Sequence, residues 1–232
     1  MLAFAISTLG VGKGRLGVRV EIVKINCDNP EASLIRYAAD QIRAGEVLGM
    51  PTDTFYGLAA DPFNLRAVDR VYDIKSRSRH KPLSLLIADV DQAEQLAQPL
   101  PEEFYALARR FWPGPLTIIV KASSRLPLKV TANTGNVALR VPKATIPLAV
   151  VQAAQIPITA TSANLSGENE CTTALAVRDQ LQDRISIIVD GGTSPREVAS
   201  TIVDLTDEEA RWRIMREGAI PAQEISGFFA QG

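Results

Sequence analysis

Apolar residues recur at helical spacing over residues 34–42 and again over residues 65–72, which predicts two amphipathic helices. Asn29 and Pro30 are predicted to cap the first helix, and Gly45 to end it. Asn64 is predicted to cap the second. The inward-facing positions of the first helix are Leu34, Ile35, Ala38, Ala39 and Ile42. Those of the second helix are Leu65, Val68, Val71 and Tyr72.

Short apolar runs bounded by Gly, Pro or Asp predict strands between and after these helices. They lie at residues 46–50, 83–88, 116–121, 136–141, 156–160, 185–189, 198–205 and 211–216. Strand–helix alternation that gives way to strand-rich sequence predicts an α/β fold, a single domain with a twisted mixed open sheet flanked by helices.

The predicted domain spans residues 20–232, and residues 1–19 are predicted to be a flexible N-terminal extension. Residues 12–17 of that extension match G-x-G-x-x-G. A strand follows this match instead of preceding it, so a dinucleotide-binding fingerprint is not indicated.

Composition narrows the functional classes. The chain has 232 residues, with 25 Lys and Arg against 26 Asp and Glu, so its overall field draws it neither to nucleic acid nor to an anionic membrane. Two cysteines and one histidine give no disulfide framework and no His-rich metal site. No apolar run approaches the roughly 20 residues of a membrane span. We therefore expect a soluble, cytoplasmic protein with no membrane partner.

Positive charge is nevertheless concentrated locally. From Arg66 to Lys81, six Lys or Arg residues stand against two Asp, and the cations continue beyond the helix into a loop that ends at Pro82. About 85 residues later, residues 161–167 supply small hydroxyl and amide side chains. Together these segments predict a concave basic cleft for a small polyanion, with phosphates the leading candidate. The alternative is an ordinary solvated helix face followed by a basic loop.

Polar residues follow the ends of several predicted strands. Thr52 to Thr54 follow one strand, Arg140 ends another, Thr161 and Ser162 follow a third, and Ser200 lies within a fourth. Ligands of open α/β sheets bind where strand ends converge, so a common cleft is predicted. Arg140 stands among Val137, Leu139 and Val141, and a guanidinium in that setting needs an anion or carbonyl groups to offset its desolvation.

Seven motifs occur in an order that resembles the YrdC-like threonylcarbamoyl-AMP synthases, in their short, single-domain form. The resemblance covers about residues 25–220. The motifs are Thr-Asp-Thr-x-Tyr-Gly-Leu, Lys-x-Arg, Pro-Gly-Pro-Leu-Thr, Leu-Arg-Val-Pro, Thr-Ser-Ala-Asn-x-Ser-Gly, Ser-Thr-Ile-Val-Asp and Arg-Glu-Gly-Ala.

The resemblance implies an ATP-dependent nucleotidyltransferase that condenses L-threonine, bicarbonate or CO2, and ATP into threonylcarbamoyl-AMP, with release of pyrophosphate. It also implies a partner transferase complex that modifies the adenosine beside the anticodon of tRNA, contact with tRNA or double-stranded RNA, and Mg²⁺ bound through the phosphates. The implied ATP contacts are Lys75, Arg77, Thr117, Ser162, Asn164 and Arg216. The implied threonine contacts are Thr54, Arg140 and Ser200. No general base is assigned.

The chain departs from the family pattern at two places. Ser78 follows Lys-x-Arg where members often have proline, and Leu85 to Ile87 stand where longer members have a histidine. His80, the sole histidine, is interpreted as a loop residue. The alternative functions are a non-catalytic RNA-binding module with a concave basic surface, and a related enzyme that acts on another carbamoyl donor.

Overall fold

The computed structural model describes residues 20–97, 99–195, 198–207 and 209–230, and the predicted extension at 1–19 lies outside them. The first predicted helix, α1 (Ala32–Arg43), ends before Gly45, as expected. Its N-cap is Glu31, so the prediction that Asn29 and Pro30 form the cap is wrong. The side chain of Asn26 accepts hydrogen bonds from the backbone N–H groups of residues 28 and 29, which holds that segment in a turn.

The second predicted helix, α2 (Leu65–Lys75), is capped by Asn64, whose side chain accepts from the backbone N–H groups of Arg66 and Ala67. This confirms the predicted cap. Val68, Val71 and Tyr72 are buried, as the periodicity indicates. Leu65 is 47% exposed, since it is the first residue of the helix and lies beyond the end of the packed face.

The strands of the described residues form two mixed sheets, and the α/β class is confirmed. The strands are β1 Glu21–Lys24, β2 Leu48–Met50, β3 Gly57–Ala59, β4 Ser84–Leu86, β5 Leu116–Lys121, β6 Asn136–Arg140, β7 Ile158–Thr159, β8 Thr161–Ser162, β9 Ile187–Asp190, β10 Thr201–Asp204 and β11 Arg213–Arg216. The first sheet has the order β1, β9, β2, β3, β8, and the second has the order β11, β10, β5, β6, β4, β7.

The helices pack in two hydrophobic cores. Besides α1 and α2, the helices are α3 Val90–Leu96, α4 Glu102–Phe111, α5 Leu128–Thr131, α6 Thr145–Ala154, α7 Ala174–Leu181 and α8 Ala222–Ala230. The larger core joins both sheets to α2, α4, α7 and α8, and the smaller core packs α1 and α6 against the first sheet. Within the described part of the chain, no helix has the length and apolar character needed to cross a membrane.

The chain passes from one sheet to the other at Ala160. The predicted strand at 156–160 is reduced to β7, which pairs with β4 in the second sheet. The next two residues form β8, which pairs with β3 in the first sheet. This crossing makes residues 161–162 an edge strand of the first sheet directly after a strand of the second.

Gly218, in the motif Arg-Glu-Gly-Ala, lies directly against the backbone of the two residues that precede β10. A Cβ atom at this position would lie 2.3 Å from the carbonyl oxygen of Ala199 and 2.6 Å from the carbonyl carbon of Ser200. Backbone cannot yield as a side chain can. We expect Gly218→Ala to destabilise the protein by about 1–3 kcal/mol, as overpacking does. A loss of each 1 kcal/mol lowers Tm by about 2–4 °C in a protein of this size.

Thermal unfolding of the variant beside Gly227→Ala tests this expectation. Gly227 lies in α8 with nothing within 4 Å of the added Cβ atom, so its replacement leaves Tm unchanged or raises it. Equal Tm values for the two variants would contradict the close approach at Gly218.

Candidate functional site

A cavity lies where the two sheets meet. The first sheet contributes the turn after β2 together with β3 and β8, and the second contributes β4, β5, β6, β10 and β11. Its charged lining residues, among those described, are three arginines and one glutamate: Arg77, Arg140, Arg216 and Glu170. Its other polar side chains are Thr52, Thr54, Tyr56, Ser84, Thr117, Thr161, Ser162 and Ser200.

The first sheet places hydroxyl groups on one wall. Antiparallel pairing of β3 with β8 sets Gly57 opposite Ser162, so the turn at 52–56 lies beside the start of the Thr-Ser-Ala-Asn motif. The Thr52 hydroxyl donates to the carbonyl oxygen of Phe55 at 2.7 Å. Thr54 Oγ1 lies 3.0 Å from Thr52 Oγ1, and both side chains are buried. The turn is therefore ordered by its own side chains.

The second sheet forms the opposite wall of the cavity. Parallel pairing of β10 with β5 sets Ile202 opposite Thr117, and antiparallel pairing of β10 with β11 sets Ile202 opposite Arg216. Thr117 Oγ1 consequently lies 2.9 Å from Ser200 Oγ. Arg216 Nη2 donates to the Ser200 carbonyl oxygen at 2.8 Å. Burial lowers the pKa of Arg216, and Glu170 opposes that effect.

Lys75 ends α2 and is buried, with 2% of its surface exposed. Its ammonium group donates to the carbonyl oxygen of Ser162, to the Asn164 carbonyl oxygen at 2.8 Å and to Asn164 Oδ1 at 3.0 Å. These acceptors account for its three N–H donors. Burial, together with the nearby charge of Arg77, lowers the pKa of Lys75 to about 8. Lys75 therefore organises the 162–164 segment from behind the cavity wall.

Asn164 organises the turn that follows. Its Nδ2 atom donates to the carbonyl oxygens of Leu165 at 2.9 Å and Glu168 at 2.7 Å. Gly167 within this turn has a φ of +96°, a conformation that L side chains rarely adopt. The Ser166 N–H also donates to the Lys75 carbonyl oxygen at 2.9 Å. The motif is thus a turn tied to the end of α2 through both side chain and backbone.

Arg77 lies at the start of the basic loop, two residues after the end of α2, and lines the cavity. Its Nη2 donates to the Pro82 carbonyl oxygen at 3.0 Å, and burial lowers its pKa. Arg79, two residues on, instead pairs with Asp69 and with Asp73 on the exposed face of α2. The basic segment therefore divides into a cavity-facing cation and a surface cation.

Seven of the nine residues predicted for the site line one cavity: Thr54, Arg77, Thr117, Arg140, Ser162, Ser200 and Arg216. Lys75 and Asn164 do not line it and lie behind its wall, bonded to each other. Of the three residues Leu85 to Ile87, which stand in the region where a histidine was expected from longer members, Leu86 is a lining residue, whereas His80 is exposed.

Sequence reasoning missed Glu170, the carboxylate among the described lining residues. It stands three positions after Gly167, outside any motif, and no local pattern marks it.

The fold and the cavity define a mixed α/β protein with an arginine-lined cleft between two sheets. The family profile Sua5/YciO/YrdC, described as telomere recombination, matches residues 40–218. Threonylcarbamoyl-AMP synthases of Pyrococcus abyssi and Bacillus subtilis are each 40% identical to the chain, over 193 and 192 residues, or 82% of its length. The chain belongs to the Sua5/YciO/YrdC family.

A solved structure of P. abyssi Sua5 complexed with L-threonine superposes with a TM-score of 0.85 at 38% identity. The match covers 89% of this chain and 60% of that one. The chain likewise spans only 56% and 55% of the two curated relatives.

Proposed function

We propose that this chain makes L-threonylcarbamoyladenylate from L-threonine, bicarbonate or CO2, and ATP, with release of pyrophosphate. The observation that carries the proposal is the convergence of seven predicted contact residues, from seven separate stretches of chain, on one cavity. Membership of a family whose matched relatives are named threonylcarbamoyl-AMP synthase supports it.

ATP occupies the end of the cavity between Arg77 and Arg216 in this proposal. Guanidinium groups fork onto phosphate oxygens, and hydroxyl groups supply further donors to them. Ser162 and Thr117 are the hydroxyl contacts. Lys75 and Asn164 act on ATP through the 162–168 turn, because their own polar groups are engaged by that turn.

Threonine occupies the end formed by Thr54, Arg140 and Ser200. Arg140 is the cation for its carboxylate, and Thr54 accepts a hydrogen bond from Arg140. Ser200 contacts Thr117 and Arg216, so in this proposal it lies where the threonine and ATP ends meet. The L-threonine complex of P. abyssi Sua5 supports an amino-acid site in this fold.

The chemistry follows from this placement. The uncharged amine of threonine adds to the carbon of bicarbonate, with loss of water, or to the carbon of CO2, with release of one proton to solvent, and a carbamate results. A carbamate oxygen then attacks the α-phosphorus, and the bond from that phosphorus to the bridging oxygen breaks in line as pyrophosphate leaves. Such a displacement needs alignment and charge neutralisation, and no covalent nucleophile. Arginines and hydroxyls supply both.

Magnesium is proposed to enter bound to the phosphate oxygens of ATP. Among the described residues, no group of three or more His, Cys, Asp and Glu side chains is placed to hold a metal ion. Mg²⁺ commonly keeps several waters and binds through one or two carboxylates plus substrate phosphates. The lining residue of matching chemistry is Glu170. The ion would neutralise phosphate charge beside the arginines.

The product is a reactive mixed anhydride, so we propose that a partner transferase in the cytoplasm takes the threonylcarbamoyl group to the tRNA adenosine beside the anticodon. Contact with tRNA or double-stranded RNA belongs to that same proposal. The rival function, an RNA-binding module without catalysis, predicts RNA affinity that falls steeply with salt and no pyrophosphate release.

The test is pyrophosphate release with all three substrates and with each omitted in turn. Release that needs threonine, bicarbonate and ATP together is the expected result. Release without threonine would identify another carbamoyl acceptor or donor. No release under any condition would reject the proposal.

Asn164→Ala is expected to lower this rate by roughly 10²–10³-fold, the usual cost of losing one preorganised donor at a reacting phosphate or oxyanion, because the turn that carries Ser162 loses its fixed position. The change removes one of the three acceptors of Lys75 and both side-chain donors that shape the turn. Asn169→Ala, in the same exposed loop and outside the cavity lining, is the matched control and is expected to keep wild-type activity. Equal rates for the two variants would contradict the role of the turn.

A further inference from the structure

Arg140 forms a buried ion pair with Asp53. Arg140 Nη2 lies 2.6 Å from Asp53 Oδ2, and the two side chains are 8% and 10% exposed. The partners come from different sheets, since Asp53 lies in the turn after β2 and Arg140 ends β6. The pair therefore bridges the two walls of the cavity.

The guanidinium is held on two further sides. Its Nε donates to the Gly114 carbonyl oxygen at 3.0 Å, and its Nη1 donates to Thr54 Oγ1 at 3.3 Å. An arginine has five N–H donors, so donors remain for a ligand in the cavity that Arg140 lines.

Asp53 has fewer polar contacts than Arg140. Its carboxylate oxygens are buried and make no hydrogen bond of regular geometry to any described residue. Its described interaction is the close approach to the guanidinium. A carboxylate buried in this way is costly unless it is paired, so its role lies in what it does to Arg140.

The three arginines of the cavity differ in this respect. Arg77 and Arg216 donate to carbonyl or hydroxyl oxygens, and neither forms a salt bridge within the described residues. Arg140 alone among these three has a carboxylate partner there. Among the three, Arg140 is thus the one whose guanidinium is in direct contact with a carboxylate, whereas Glu170 acts on Arg216 without a salt bridge.

We propose that Asp53 is a positioning residue that holds Arg140 for the carboxylate of threonine and keeps it from the phosphates. The inference rests on the proposed function, which assigns Arg140 to that carboxylate. A polyphosphate is drawn to Arg77 and Arg216, since neither guanidinium is held in a salt bridge within the described residues. A singly charged carboxylate is bound by the remaining, oriented donors of Arg140.

The experiment measures KM for threonine and for ATP in wild type and in Asp53→Asn, a change that keeps the side-chain shape and removes its charge. The KM for threonine is expected to rise about tenfold or more, while the KM for ATP stays within about twofold; measured couplings of close charge pairs are this large. Inorganic pyrophosphate is expected to compete with threonine in the variant and not in wild type, because the freed guanidinium then accepts a phosphate.

Three further variants serve as controls. Asp53→Asn leaves a buried guanidinium unpaired, whereas Asp53→Asn combined with Arg140→Gln removes both charges and preserves the fold. If Asp53 acts through Arg140, the double variant has the threonine KM of Arg140→Gln alone. Asp91→Asn, on the exposed first turn of α3, controls for the loss of one negative charge.

The outcomes separate the two proposals. An unchanged threonine KM in Arg140→Gln rejects the proposed threonine site. A raised KM in Arg140→Gln with a wild-type value in Asp53→Asn rejects only the role of Asp53. Equal rises in both KM values, additive effects in the double variant, or no competition by pyrophosphate also overturn that role.

Discussion

Replacing Arg77 by alanine is expected to lower the rate of pyrophosphate release by roughly 10²–10³-fold, the loss that follows removal of one preorganised charge contact. Arg77 lines the cavity and donates a hydrogen bond to the Pro82 carbonyl oxygen. Burial lowers the pKa of Arg77, because no salt bridge to a described residue supplies negative charge that would offset the desolvation of its guanidinium group. In the proposed function, the triphosphate of ATP would supply that charge. Steady-state kinetics at varied ATP measures the effect.

Arg79→Ala is the matched control for this prediction. It removes the same charge two positions along the same loop, but Arg79 pairs with Asp69 and Asp73 at the surface. Exposed ion pairs are worth about 0–1 kcal/mol, so activity is expected within about twofold of wild type. If both variants lose activity equally, the loop acts through its total charge, and the assignment of Arg77 as a specific contact is wrong.

Lys75→Met is expected to lower the rate by roughly 10²-fold although Lys75 does not line the cavity. Methionine fills a similar volume but leaves the carbonyl oxygens of Ser162 and Asn164 without their common donor. The turn that carries Ser162 then loses its fixed position. Lys129→Met, which removes an exposed ammonium paired with Asp69, serves as the control and is expected to keep activity. Wild-type activity in Lys75→Met would show that the turn holds its shape unaided.

The lowered pKa of Lys75 also predicts a dependence on pH. In the free enzyme this pKa is about 8, so above that pH the amine has lost one of its three donors. The value of kcat/KM for ATP is expected to fall as pH rises through about 8. Lys75→Arg removes that fall, because a guanidinium keeps its proton. A fall that persists unchanged in Lys75→Arg would assign the titration to another group.

As pH rises, the free energy of unfolding is expected to change in the opposite direction to kcat/KM. The folded-state pKa of about 8 lies below the ordinary value of 10.5, so between these values the unfolded chain holds a proton that the folded chain has released. The free energy of unfolding therefore rises with pH across this window. Lys75→Met lacks this contribution, and the difference between the two proteins in urea unfolding isolates it.

Local sequence patterns were sufficient for the elements whose signals are short-range. The caps and apolar face of α2 follow from Asn64 and from the spacing of Val68, Val71 and Tyr72, because a helix is stabilised by contacts within four residues. The same reasoning failed at α1, where Glu31 is the N-cap and Asn29 instead lies in a turn whose backbone N–H groups donate to the side chain of Asn26. Propensity alone does not decide between such neighbours.

The same local patterns did not predict that the strands divide into two sheets. The run at 156–160 has the composition of one strand, yet β7 and β8 belong to different sheets. Which partner each two-residue strand meets depends on β3 and β4, about 75 to 100 residues earlier in the chain. A strand's own sequence specifies its faces and not its partner.

By itself, the amino-acid sequence determined the chemical inventory of the site: the cations of the basic loop, the hydroxyls at strand ends and an arginine among apolar residues. Only the tertiary structure decided how they divide their roles. It turned Arg77 into the cavity and Arg79 onto the surface, and it placed Lys75 against residues 87 and 89 positions away. It also gave Arg140 its partner Asp53 from the other sheet. The physical reason is that charge interactions depend on distance and burial, and both are set by sheet register between distant segments.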